Sequence, residues 1–469
     1  MKKNKLISAL QYVDPALIEE AMEGHKKETH FRFGTLIAAC LCLVCSITAL
    51  WYMANVKRGP EVVDPTVIVP SETEQENGSD AEGNSESPNF DSSSMLRIAI
   101  IAEGLFERGN QIVYDTCARF CEEYPGAEYV YYKSGDASTE GCIGTIDQAV
   151  AEGNNILVFV PDDEFSPKIA EAVMETAERY PEIYYVVPGV GTEYLREDYV
   201  LPANVCCITY QEEVAGFMAG VAAVRLGYTK LGFLGAEENP RIMRYGYGFV
   251  QGADYAADLV GSSVEIRYAY ANTMVSDRNL TYGITEWYAD GVEVIFSCGG
   301  EIDYSVAEAA SQNGGKIIDV DTDHYHNMDF MYGLGTTLTA VTEELDRTVY
   351  GVLEDIAMER WENYAGQCIR LGLESATNPE ENYIALSDST CFAEGFTYED
   401  YTALLEGMVK GTIFVSTGID NAPATDRVTV YYLSDIMAEP ETEPETEPET
   451  ELETEEYTEE VPVHTGSGK

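Results

Sequence analysis

An α/β fold of two lobes, each built on a parallel sheet, is predicted by three observations. Short apolar runs alternate with helical patterns through the body of the chain. Each of the runs 231–234, 292–296 and 316–320 is followed by a Gly- or acid-containing turn and then a helical pattern. The alternation passes through the chain twice, in two roughly equal halves. Strands that alternate with helices form parallel sheets. In such sheets ligands bind at the C-terminal ends of the strands, so a cleft between the halves is the expected site.

The chain has 469 residues, more than one domain requires. Its first 33 residues hold the basic cluster Lys2, Lys3, Lys5, Lys26, Lys27 and Arg32. Within them Asp14 can cap a short helix that has Pro15 at its first position. Residues 34–56 carry no charge. At about 1.5 Å per residue they span the roughly 30 Å of a bilayer core. Trp51 and Tyr52 sit near one end, where aromatic rings favour the interface. A transmembrane helix is expected here, with the N-terminus cytoplasmic by the positive-inside bias and the body outside. A cleaved signal peptide fits less well, because 33 residues precede the apolar run. "IAAC" (37–40) imitates a lipoprotein cleavage box, yet most of the apolar residues follow Cys40 instead of preceding it.

Residues 57–94 form an acidic linker rich in Pro, Ser, Glu, Asn and Gly, which cannot bury enough surface to offset chain entropy and is expected to be disordered. The α/β body covers 95–437. In it "LRIAIIA" (96–102) is the first strand, with a helix from about 110 to 124. "NILVFV" (155–160), "IYYVVP" (183–188) and "VCCITY" (205–210) follow as strands. The next helix carries Ala215, Gly216, Ala219, Gly220, Ala222 and Ala223, small residues that would let it lie close to a sheet. The first lobe is expected at about 96–209 and 324–372, the second at about 210–323 and 373–418. Residues 438–469 form a disordered acidic Glu/Pro/Thr tail whose repeated "EPET" keeps it extended.

The net charge of −54 repels phosphate backbones and excludes nucleic acid as a partner. Of the eleven cysteines, Cys40, Cys42 and Cys45 lie in the apolar segment, and the other eight lack paired CxxC spacing, which argues against zinc; they read mainly as buried thiols. Five histidines, and the absence of GxSxG, HExxH and GxxxxGK[ST], leave no support for an enzyme or a cofactor. Asp319, Asp321 and Asp323 beside His324 and His326 invite a calcium loop, but His324 and Phe330 stand where Gly and Glu are required. Glu103 at the end of the first strand is either a ligand acceptor or a turn residue, and the same pair of readings holds for Asp162 and Asp163. Arg244 is expected to pair with Glu237 or Glu238 and hold its loop, the alternative being a ligand clamp.

Pro240, Ile242, Arg244, Tyr245, Gly248 and Phe249 form a P-x-I-x-R-Y-x-x-G-F segment. Glu212, Glu213, Gly216, Ala219 and Gly220 form an acidic, Gly-containing helix start. Gly299 and Gly300 follow a strand, Val320, Asp321 and Asp323 form V-D-x-D, and 404–417 looks like a closing strand. In these features the chain, over about 95–418, resembles the basic membrane protein (BMP) or PnrA-like family of ABC transporter solute-binding proteins. The resemblance implies a type I periplasmic-binding fold of two Rossmann-like lobes joined by three crossovers. It implies a nucleoside-like ligand, ABC permease subunits as partners, and ligand contacts from Asn110 and Asp321. Residues 106–110 here read Phe-Glu-Arg-Gly-Asn where that family has D-x-S-F-N, and Met274 replaces a second aromatic. The two rings would sandwich a base; Phe106 can supply one from a shifted position. The candidate ligand-binding set is Glu103, Phe106, Asn110, Asp162, Met274, Gly299, Gly300, Asp321 and Asp323. The expected function is capture of a small solute by a protein tethered to the bilayer through residues 34–56. The alternative is a single-pass sensor that signals to its cytoplasmic arm.

Overall fold

The computed structural model describes residues 95–102, 108–134, 138–162, 165–321 and 325–437. The predicted cytoplasmic arm, the membrane segment 34–56, the linker 57–94 and the tail 438–469 lie outside the described residues. Among the described residues no helix is long and apolar enough to cross a membrane.

The first sheet holds β1 (Leu96–Ala102), β2 (Ala127–Lys133), β3 (Ile156–Phe159), β4 (Tyr184–Pro188), β5 (Val205–Tyr210) and β11 (Gln367–Leu371). They lie in the order β11-β5-β4-β3-β1-β2, all parallel. The second sheet holds β6 (Lys230–Gly235), β7 (Val264–Tyr270), β8 (Val294–Cys298), β9 (Lys316–Asp321), β10 (Thr337–Glu343), β12 (Ile384–Leu386) and β13 (Val428–Tyr432). Its order is β12-β10-β9-β8-β6-β7-β13, with β12 antiparallel to β10. Both sheets contain the 2-1-3-4-5 order of a doubly wound fold.

Helices α1 (Arg108–Glu123), α2 (Thr139–Ala151) and α3 (Ser166–Thr176) connect strands of the first sheet. In the second half α4 (Glu212–Arg225), α5 (Pro240–Val260), α6 (Arg278–Ala289), α7 (Ile302–Asn313) and α8 (Tyr325–Tyr332) precede β10. Helices α9 (Leu345–Ala357) and α10 (Tyr398–Val409) follow it. Strand β1 is buried on both faces. Ile98 and Ile100 pack with Phe120 of α1 and Leu353 of α9, while Ala99 and Ile101 pack with Ile146 of α2 and Val173 of α3. The split follows from side chains alternating with period two. Each fully buried Ile, Leu or Phe contributes about 1.5–3 kcal/mol relative to exposure.

The chain passes between the sheets three times: after β5 at Tyr210–Gln211, after β10 at Glu343–Glu344, and after β11 through 372–383. The passages are laced together. Gln211 N–H donates to the Leu371 carbonyl (2.9 Å), Glu344 N–H to that of Tyr383 (3.0 Å), and Tyr383 N–H to that of Gly372 (2.8 Å).

Two expectations are corrected and a third is extended. The return to the first lobe was placed near 324, but β9, α8 and β10 stay together: Asp329 on α8 accepts the N–H of Thr337 (3.0 Å), and β10 pairs with β9. The run 404–417 is not a strand; α10 continues to Val409, and the edge strand is β13, which joins β7. The small residues of α4 meet a helix as well as the second sheet, where α4 lies against β10 and β12. A Cβ on Gly216 or Gly220 would lie 2.1 and 2.2 Å from the carbonyls of Tyr245 and Phe249 on α5, and one on Gly248 would lie 2.1 Å from that of Glu213. The glycines bring the two helix backbones into direct contact, which fixes the start of α5 beside the first passage.

Candidate functional site

In a doubly wound sheet, ligand crevices open where the strand order reverses, at the carboxyl ends of the strands. Here those points lie between β1 and β3 in the first sheet and between β6 and β8 in the second. All three passages leave from carboxyl ends of strands, so both crevices lie on the side of the crossovers. The loops of the two lobes touch there: Arg244, at the start of α5, donates to Glu193, in the loop after β4, at 2.8 Å.

The predicted residues map onto these loops. Asn110 is the third residue of α1, only 3% exposed. Asp162 follows β3 and turns the chain into α3: its Oδ1 accepts the Phe165 N–H (2.8 Å) and its carbonyl accepts the Ser166 hydroxyl (2.7 Å). Met274 follows β7, packs partly buried on the second core, and its carbonyl accepts the Glu301 N–H (2.7 Å). Gly299 and Gly300 follow β8 with φ of +94° and +58°. A Cβ on Gly300 would lie 2.4 Å from the Met274 carbonyl oxygen, so a glycine is needed for the loops after β7 and β8 to meet. Asp321 ends β9, where its backbone is in register with Thr342. Glu103, Phe106 and Asp323 lie outside the described residues, as does Asp163.

The clearest electrostatic feature is a chain of ion pairs along the crossovers. Arg244 Nε donates to Glu212 (2.8 Å), whose side chain is 1% exposed, while its other arm holds Glu193. Burial works against the Arg244 charge, and the carboxylates of Glu212 and Glu193 overcome it, holding the guanidinium above its ordinary range. Arg370, at the end of β11, pairs with Glu213 and donates through Nε to the Tyr210 carbonyl (3.1 Å). Burial pushes the Glu213 carboxyl up, and Arg370 offsets part of that rise. At the second passage Glu343 receives Arg241 (3.1 Å) and the Tyr245 hydroxyl (2.6 Å). Arg244 is thus structural, as expected, but its partners are Glu193 and Glu212 and not Glu237 or Glu238. The P-x-I-x-R-Y-x-x-G-F segment combines ion pairs at the crossovers with core packing. Pro240 opens α5, Arg244 and Tyr245 bind hinge carboxylates, Gly248 admits α4, and Ile242 and Phe249 are core.

Sequence reasoning missed Glu193, Glu343, Arg241 and Arg370. One signal was available: Glu212 and Glu213 open an apolar helix that has no cation until Arg225. Two carboxylates buried there require cations from elsewhere in the chain. Among the described residues no group of three or more His, Cys, Asp or Glu is placed to hold a metal ion.

A profile of the PnrA-like ABC transporter substrate-binding proteins (Bmp) matches residues 97–377. Basic membrane protein B of Borrelia garinii subsp. bavariensis is 23% identical over 290 residues, 60% of this chain and 79% of the relative. The ABC transporter nucleoside-binding protein BmpA of Lactococcus lactis subsp. cremoris is 24% identical over 316 residues, 62% of this chain and 85% of the relative. An ABC transporter solute-binding protein of Conexibacter woesei shares the fold, with a TM-score of 0.53 at 18% identity over 69% of this chain and 99% of its own. So does a transcriptional activator of the comK gene from Bacillus halodurans, with a TM-score of 0.54 at 16% identity over 68% of this chain and 99% of its own. With the fold, the crossovers and a match spanning more than half its length in agreement, the chain belongs to the PnrA-like family of ABC transporter substrate-binding proteins.

Proposed function

We propose that this protein is a membrane-tethered, extracytoplasmic receptor that captures a small nucleoside-like solute between its lobes for an ABC importer. The observation that carries the reading is the meeting of strand-end loops from two doubly wound sheets at three laced crossovers. A hinge of this kind lets two lobes close on a solute, driven by the higher affinity of the closed state. In this reading Glu103, Asn110, Asp162, Asp321 and Asp323 supply polar contacts. Phe106 and Met274 flank the base, and Gly299 with Gly300 shapes the floor. Ionised carboxylates only accept hydrogen bonds, so Asp321 suits a hydroxyl-rich sugar. The guanidinium groups of Arg241, Arg244 and Arg370 are all engaged by hinge carboxylates. That favours a neutral solute over a nucleotide. The relationship to a protein named as nucleoside-binding supports the same class.

Residues 34–56 supply the anchor and 57–94 the tether. Thermal unfolding of the full chain against nucleosides, nucleotides and simple sugars tests the proposal. A ligand at 100 times its Kd stabilises the fold by about 2.7 kcal/mol. Nucleosides are expected to raise the melting temperature and nucleotides to leave it unchanged; no rise with any nucleoside would refute it. The sensor alternative makes a different demand. A pull-down on the cytoplasmic arm would have to recover a regulatory protein in place of permease subunits.

A further inference from the structure

Cys207 of β5 and Cys368 of β11 are direct neighbours across two parallel strands. Parallel neighbours sit about 4.8 Å apart, inside the roughly 4.4–6.8 Å window of Cα separations that a disulfide spans. The two side chains share one face of the sheet: Cys207 is fully buried in the core there, and Cys368 packs half-buried against it. Cys206, one residue earlier, belongs to the core on the opposite face and cannot compete. The Cys368 Sγ lies 3.8 Å from the Val190 carbonyl, after the strand that borders β5 on its other side. β11 is the edge strand of its sheet, so Cys368 is the sulfur a reagent reaches first.

We propose that Cys207 and Cys368 form a reversible thiol–disulfide site that small-molecule disulfides oxidise, stapling together the two strands that feed the first and third crossovers. The Cys368 thiolate attacks one sulfur of R–S–S–R. That S–S bond breaks, a mixed disulfide forms on Cys368, and RS⁻ leaves. Cys207 then gives up its proton and attacks the Cys368 sulfur, expelling a second RS⁻. Two cysteine thiols lose two electrons, one small disulfide becomes two thiols, and the two protons pass to the released RS⁻. The neighbouring Cys207 thiol holds the Cys368 thiol below its ordinary range, which suits it to the first attack. The same interaction, with burial, pushes Cys207 up, which suits it to the later resolving step.

The bridge would lie three residues before Tyr210 and Leu371, where the chain leaves the first sheet, so oxidation fixes the hinge strands in register. The test uses the folded full-length chain in detergent, treated with cystine, then denatured, alkylated and mapped by peptide mass. Oxidation is expected to remove two alkylatable thiols and to yield one linked pair of peptides, carrying Cys207 and Cys368. C206S should leave that pair intact, and C368S should abolish it. The wild-type map alone decides the matter if a variant fails to fold. Full alkylation of both residues after treatment would overturn the proposal. So would a mixed disulfide that stays on Cys368, or preferential linkage of Cys117 to Cys121.

Discussion

Replacing Arg244 with Leu tests whether the ion pairs along the crossovers hold the lobes together. The Arg244 side chain is 12% exposed, and its partners Glu212 and Glu193 are 1% and 25% exposed. Removing one member of a buried pair costs about 3–5 kcal/mol, because the remaining charge stays buried without its counterion. Two features place the cost at the lower end. Arg370 remains 3.6 Å from Glu212, and Glu193 can turn to water. The expected loss is about 3 kcal/mol, roughly 150-fold in the folding equilibrium. Urea unfolding followed by tryptophan fluorescence measures it, since Trp361 reports on the first lobe and Trp287 on the second, both buried. With a slope of about 3 kcal/mol/M the midpoint falls by about 1 M. The double variant Arg244→Leu/Glu212→Leu should recover most of the loss, because removing both charges leaves none stranded. A loss under about 1 kcal/mol, or a double variant no better than the single, would refute the reasoning.

Gly248→Ala places a Cβ 2.1 Å from the Glu213 carbonyl oxygen and should cost about 2–3 kcal/mol by forcing α4 and α5 apart, read as a lower melting temperature. Gly300→Ala meets the Met274 backbone at 2.4 Å and at a φ of +58°, so it should weaken nucleoside affinity at least tenfold in a calorimetric titration. Asp400 completes a capping box at the start of α10, where hydrogen bonds from Thr397 hold its carboxyl down at about 2, below the ordinary 3.8. Its contribution is therefore full above about pH 3.8 and is lost as pH falls toward 2. Asp400→Ala should cost about 1 kcal/mol at neutral pH, with the gap from wild type closing as the solution is acidified, measured by denaturation at several pH values.

Seven strands, β1, β3, β4, β5, β6, β8 and β9, were legible because each apolar run was long enough to be buried and was closed by a glycine or an acid. "VCCITY" and "NILVFV" became β5 and β3 nearly residue for residue. The second crossover was misplaced because nothing local marks it. Residues 324–343 continue the same alternation, and their attachment to the second sheet depends on Asp329 reaching across its turn to β10. The closing strand was misread because "GTIFVST" has the composition of a strand but no free edge to pair with; β13 takes that edge from further along the chain. At the site the glycines were recognised by position, and the structure supplies their reason in the approach of two loops. The partners of Arg244 stayed hidden because Glu193 stands 51 residues away in a loop of the other lobe, a contact that no spacing encodes. Tyr245 and Arg241 show the same limit, both converging on Glu343 from the start of α5.

Calorimetric titration of guanosine and other nucleosides into the wild-type chain and into Asn110→Ala bears most directly on the central claim. The account requires one saturable site per wild-type chain, with affinity reduced at least tenfold when the buried amide after β1 is removed. Absence of saturable binding by any nucleoside, or equal affinity in the two proteins, would contradict a solute held between the strand ends of these lobes.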